Sequence, residues 1–156
     1  MRRADREIID PGLIRKTVDD CRVCRIGFND KGKVYIIPLN FGYTCVDGKY
    51  VLYFHGAKEG RKYSLAAESP LVGFEMDTDY KLNEAETACA FSTRFRSIIG
   101  TGIFSVVEDE TERLLGLQRI MHKATGRSDW SFDPAAIAKT AVFRLEVAEM
   151  SCKEHK

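Results

Sequence analysis

Apolar and polar residues alternate with a period of two over much of the chain, the signature of half-buried strands. From Lys49 to His55, Tyr50, Leu52 and Phe54 share one face, and Val51, Tyr53 and His55 share the other. Ala141 to Ala148 repeats the pattern, with Ala141, Phe143, Leu145 and Val147 facing one way. Arg22 to Phe28 and Val72 to Met76 read as shorter strands, and Ala85 to Val107 as one or two long ones. Val34 to Phe41 is apolar on both faces, which predicts a strand covered on both sides. Asn29-Asp30-Lys31-Gly32 and Asp47-Gly48 are turns of the kind that join hairpin strands. The period changes toward 3.6 in a few places. Asp10-Pro11 reads as an N-cap followed by a helix-starting proline, opening a helix to about Asp20. Gly60 to Glu68 reads as a short helix that must stop near Ser69, before Pro70. Thr111 to His122 is amphipathic, with Leu114, Leu117 and Met121 on one stripe. Pro134 to Lys139 reads as one more turn of helix.

Six or more strands in hairpins, with two or three short helices, predict a mainly β fold. Closure into an antiparallel barrel would remove the open edges that hairpins leave. At 156 residues, with no internal repeat or linker, residues 1–156 read as a single domain. On one face of the long strand region, Arg94 and Arg96 are followed by Gly100 and Gly102. Glycines there imply a bend or a close approach of ligand or backbone.

Composition narrows the function. The chain has 24 Lys and Arg against 23 Asp and Glu, so it lacks the basic excess of a nucleic-acid coat or an acidic-lipid binder. No apolar run approaches a membrane span. The charged N-terminus has no apolar stretch behind it, and the cysteines number five, which together point to reduced thiols in a cytoplasm. Cys21 and Cys24 form C-x-x-C at what reads as the start of a strand. Free cysteines are most often simply buried, so packed thiols are the first reading. A zinc or thiol-redox site is the second, and it would need further ligands or a helix start.

Phosphate-loop, zinc-protease and nucleophile-elbow motifs are missing, and Gly100-Thr101-Gly102 lacks the third glycine of a dinucleotide fingerprint. The informative stretch is Tyr53 to Lys62. A strand ends at His55, a glycine-containing loop follows, and a helix opens with Gly60-Arg61-Lys62. Cations at a helix start repel its dipole unless an anion sits there, so Arg61 and Lys62 point to a phosphate; two ordinary charges on a solvated loop are the alternative. His55 is a candidate proton donor or a packed histidine. Trp130, in a polar loop, reads as a surface anchor or interface residue, or more sharply as a lid over a flat ring.

Four segments, MRRADREI at the start, PLNFGY at 38–43, YFHGAKEGRK at 53–62 and RSIIGTG at 96–102, run in order to about Val107. Together they resemble the nitroimidazole-resistance-type branch of the pyridoxamine 5'-phosphate oxidase-like, FMN-binding split barrels. The resemblance implies a six-stranded antiparallel split barrel that forms a homodimer with FMN at the interface. It implies that Arg61 and Lys62 hold the FMN phosphate, and that Tyr53, Phe54, His55 and Gly56 run past the flavin ring. Asn40 and Phe41 would lie near the same pocket, with Arg96 and Ser97 as a basic and a polar flavin neighbour. His55 is the active-site residue by this resemblance. The implied activity is an FMN-dependent oxidoreductase that reduces nitroaromatic or other electron-poor small molecules. Electrons would come from NAD(P)H or a protein donor. A non-catalytic FMN, haem or small-acid binding module on the same barrel is the alternative. The sequence departs from the broader oxidases at VYIIPLN, which lacks a basic phosphate-binding strand. It also lacks their substrate arginine and histidine, Arg144 being only a loose counterpart, so vitamin B6 oxidation is not expected.

Overall fold

The computed structural model describes residues 3–68 and 70–156. Eight strands and four α-helices follow one another: β1 (Glu7–Ile8), α1 (Pro11–Asp20), β2 (Cys24–Asp30), β3 (Lys33–Leu39), β4 (Gly42–Val46), β5 (Lys49–Ala57), α2 (Arg61–Ala67), β6 (Leu71–Asn83), β7 (Ser92–Val106), α3 (Glu110–Thr125), α4 (Pro134–Lys139) and β8 (Thr140–His155). All pairings are antiparallel, in the order β3-β2-β6-β7-β8-β5-β4, with β1 added to the far end of β8. The sheet curls but leaves β3 and β4 as open ends, which is a split barrel. None of the helices among the described residues is long and apolar enough to cross a membrane.

Turn chemistry sets the hairpins as expected. Lys31 and Gly32, and likewise Asp47 and Gly48, all have left-handed backbone, the type I′ pattern that matches strand twist. Asn29 Oδ1 accepts from the Gly32 amide at 2.9 Å and holds the first turn. Asp10, Asp109 and Asp133 cap α1, α3 and α4 through their carboxylates, and Gly126 ends α3 with left-handed backbone.

The barrel interior is aromatic. The Phe104 ring stacks on Phe143 (5.5 Å between centroids) and meets Phe28 edge-on at 5.2 Å. Phe54, Leu52, Ile98 and Leu145 fill the same core. A second, smaller cluster, Tyr53, Val107, Leu117, Ile120 and Val142, sits on the outside of β5 and β8, under α3. The predicted close approach at Gly100 and Gly102 is one of backbone. A Cβ on Gly100 would collide with Phe74 and the Glu149 carbonyl, and one on Gly102 with the Glu146 carbonyl. The β7–β8 register shifts between Thr101 and Gly102.

Several expectations are corrected. The predicted strand 34–41 is β3 and stops at Leu39, with β4 starting separately at Gly42, and only one face of β3 is covered: Val34 and Ile36 are 79% and 61% exposed. Cys21 caps α1 rather than starting a strand, although both Cys21 and Cys24 are fully buried. β6 and β8 run well past the predicted 72–76 and 141–148, and β7 starts at Ser92, after an irregular connection. The buried stripe of α3 is Gly116, Leu117 and Ile120, not Leu114, Leu117 and Met121; Leu114 is 40% exposed.

Candidate functional site

β5 alternates strictly until its end, which decides what a ligand on the surface can touch. Phe54 points into the barrel and is fully buried, and Tyr53 lies beneath α3. His55, on the Tyr53 side, has passed the end of that cover and is exposed. Of the run Tyr53–Gly56, expected along a flavin ring, His55 is the side chain the strand presents.

Gly56 follows because Lys62 must cross there: a Cβ at Gly56 would overlap Lys62 Nζ. Lys62 folds back from the start of α2, donates to the His55 carbonyl at 3.1 Å and lies 4.7 Å from the centroid of the Phe143 ring. Desolvation in that position pushes the Lys62 pKa below its usual value. The pKa of His55 is lowered as well, first by desolvation and then by the Lys62 charge. Gly60, with φ of 89°, supplies the left-handed residue that starts α2. Arg61 stands beside it. Its guanidinium donates to Asp30 at 2.7 Å and covers the Tyr35 ring at 4.2 Å. Lys62 therefore reaches back to His55, while Arg61, next to it at the start of α2, turns to Asp30 and Tyr35.

The other expected residues do not join them in one chain. Asn40 donates to the Arg22 carbonyl at 3.2 Å, and Phe41 is buried beneath Lys123. Arg96 is a structural cation: almost fully buried, it binds Asp79, Asp20 and the Thr17 hydroxyl. It ties α1 to the β6–β7 hairpin and has no free face for a ligand. Ser97 is buried on the outer side of β7, opposite Lys153, whereas His55 is opposite Val142. Those two positions lie at opposite ends of β8, on the order of 35 Å apart along an extended strand.

Sequence reasoning missed the support around this end. Asp30 and Tyr35 hold Arg61, and a polar row that runs from buried to exposed begins at Tyr53, whose hydroxyl donates to Glu112 at 3.2 Å. Glu112 also accepts from Arg144, which reaches Glu146 on its other side at 2.7 Å. Arg144 is thus engaged on both flanks and makes a poor substrate anchor. No sequence signal marks these long-range pairs. Trp130 is an anchor: its indole donates to Thr125 at 3.2 Å and its ring carries Arg127 at 4.5 Å. Burial drives the Cys21 thiol up to about 12 and raises Cys24 too, which makes both poor nucleophiles. Among the described residues, no group of three His, Cys, Asp or Glu is placed to hold a metal ion.

Comparison with known proteins agrees with this architecture. The sequence profile of the family described as pyridoxamine 5'-phosphate oxidase matches residues 11–154. A Bacteroides thetaiotaomicron structure named for 5-nitroimidazole antibiotic resistance superposes with a TM-score of 0.79 at 28% identity, covering 95% of this chain and 86% of that one. A flavocytochrome from Azotobacter vinelandii gives 0.79 at 21% identity, covering 100% of this chain and 72% of that one. A FAD- and haem-binding protein from Mycobacterium smegmatis gives 0.82 at 18%, covering 97% and 74%. These two likenesses are of fold. No curated protein matches the sequence.

Proposed function

The chain belongs to the pyridoxamine 5'-phosphate oxidase family, and from that premise we propose that it is a small FMN-dependent reductase of electron-poor organic molecules such as nitroaromatics. The observation that carries the reading is the cluster of exposed His55 with Arg61 and Lys62 where β5 gives way to α2. The likeness to the nitroimidazole-resistance structure supports the substrate class.

The residues fit a flavin phosphate. The Arg61–Asp30 pair has 47% and 23% of its side chains exposed, and such pairs are worth only about 0–1 kcal/mol. Exchanging Asp30 for a phosphate therefore costs little, while charge-assisted contacts to phosphate are among the stronger hydrogen bonds. Lys62, short of solvent, gains from a nearby anion. When bound, the flavin supplies the electrons, delivered to it by NAD(P)H or a protein donor. His55 is neutral near pH 7 because its pKa is depressed. Its ring N–H then serves as a donor to an oxygen of the substrate. A second copy of the chain is part of this proposal. Ser97 can approach a flavin held at His55 only from a partner molecule, since one chain keeps them at opposite ends of β8.

Titration calorimetry with FMN tests the phosphate assignment. Arg61→Ala with Lys62→Ala is expected to weaken binding at least about tenfold, from two contacts of roughly 1.5–3 kcal/mol each; unchanged affinity overturns it. His55→Ala is expected to keep FMN and to lower the rate of nitroimidazole reduction by the pre-reduced protein. FMN binding without any reduction would make the chain a flavin-binding module instead.

A further inference from the structure

A second site is built at the other end of β5. A cleft of ≈ 500 Å³ opens between α1, β4 and the second half of α3. Its walls are tied to one another. α3 lies so close to β4 that a Cβ on Gly42 would stand 2.5 Å from the Arg119 carbonyl oxygen. Lys123 Nζ donates to the Val18 and Asp19 carbonyls at 2.8 and 2.9 Å, which pins α3 to the end of α1. The Tyr43 hydroxyl donates to the Asp19 carboxylate at 2.7 Å and joins α1 to β4.

The charges in this cleft do not cancel. Lys123 is accounted for, since it caps the negative end of α1. The Asp19 carboxylate accepts from the neutral Tyr43 hydroxyl, keeps its charge and offsets one of the three cations. Arg15 and Arg119 are what remain, and both line the cleft. Among the described residues, neither has a carboxylate within salt-bridge distance, a condition they share with Arg6, Arg22, Arg94 and Arg113 but not with Arg3, Arg25, Arg61, Arg96, Arg127 and Arg144. The Thr44 hydroxyl and the His122 ring, held to Ser128 at 2.9 Å, face the same space. Arg15, which meets only the neutral Cys45 and Tyr50 side chains, and Arg119, together with an imidazole and a hydroxyl, form a donor-rich wall beside the single Asp19 carboxylate.

We propose that this cleft binds a small phosphate monoester, separately from the flavin residues. Arginine forks match the tetrahedral dianion bidentately and hold it better than a point charge would. The cleft is much larger than a bare phosphate, and Tyr43 and Val46 offer an apolar wall for an organic body. Thr44 and Cys45 pair with Val51 and Tyr50, which puts the cleft about 13–17 Å along β5 from His55. The proposal does not depend on the flavin reading.

Phenyl phosphate is the probe, added to the purified full chain and followed by amide NMR. Saturable shifts are expected at Thr44, Cys45 and Arg119, with phenol giving none. Arg15→Gln with Arg119→Gln is expected to weaken binding at least tenfold. Both side chains are exposed, so the spectrum should otherwise persist; Arg15→Gln alone, which leaves α3 intact, should lose part of the affinity. Arg61→Ala with Lys62→Ala is expected to change nothing. Absent shifts at those amides, affinity unchanged in the Arg15 and Arg119 variants, loss in the Arg61 and Lys62 variant, or displacement of the probe by one equivalent of FMN would each overturn the proposal.

Discussion

His55 shows how a single side chain inherits its chemistry from where its strand ends. One position earlier, Phe54 is sealed in the barrel; two earlier, Tyr53 is roofed by α3. His55 escapes both, yet remains close enough to apolar surface and to Lys62 for its pKa to fall below the usual value near 6.5. The folded protein therefore binds this proton less tightly than the unfolded chain does. The corresponding stability is complete above the unfolded pKa and is lost as pH falls through the folded one. Lys62→Met removes the second cause of the shift. A proton NMR titration of the His55 ring should place the wild-type midpoint below 6.5 and the variant's midpoint higher. Equal midpoints would mean that desolvation alone sets the shift and that Lys62 exerts no field on the ring.

Helix α3 and strand β4 show the same dependence at the level of elements. Gly42 exists so that the α3 backbone can lie on β4, and an alanine there would overlap Arg119 and Ile120 main-chain atoms that cannot turn aside. Gly42→Ala should cost about 3 kcal/mol, the upper end of overpacking, since a helix backbone must move. Thermal unfolding should show it as a Tm lower by about 6–12 °C, at about 2–4 °C per kcal/mol for a chain of this size. A Tm within 2 °C of wild type would mean that α3 rides loosely on the sheet. The sequence contains Gly42 but no sign of what approaches it, and this is the general limit. Alternation and turn residues are local, so β5, the two hairpin turns and the Asp10-Pro11 start of α1 were legible. The extra length of β6 and β8 was not, because residues such as Asp77 to Asn83 are polar and gain their pairing from β7. Pro38, which cannot donate to a second neighbour, suits the edge position of β3, but the apolar run around it read as a strand covered on both sides. At the site, Arg61, Lys62 and His55 were adjacent in sequence and could be read together. The ion pairs of Arg96 were not legible, because its partners, Asp20 and Asp79, are distant in sequence.

At the scale of the whole molecule, the described residues leave the outer face of the sheet bare over β3, β6 and β7, beyond the reach of α3. Val34, Ile36, Leu71, Ile99 and Ile103 are 79%, 61%, 64%, 54% and 39% exposed. Alternation puts them on the outer side of β3, β6 and β7, and register brings Leu71 opposite Ile103 and Glu75 opposite Ile99. A pattern that predicts coverage on both sides of β3 is met on one side only within a single chain. A second copy laid face to face about a two-fold axis would cover the other, through a self-complementary patch. The same axis would exchange the ends of β8 and bring the Ser97 end of one copy toward the His55 end of its partner. A charge at the centre of such a patch would have to be desolvated on association. Ile99→Asp with Ile103→Asp should therefore raise the dimer dissociation constant at least about a hundredfold, or about 3 kcal/mol. Analytical ultracentrifugation across a concentration series measures it: a dimer for wild type and a monomer for the variant, with the circular dichroism of the barrel retained. The variant should also lose FMN affinity although neither substitution touches Arg61, Lys62 or His55. A monomeric variant that binds FMN as tightly as wild type would show that each chain carries its site whole, and Ser97 would then have no part in it.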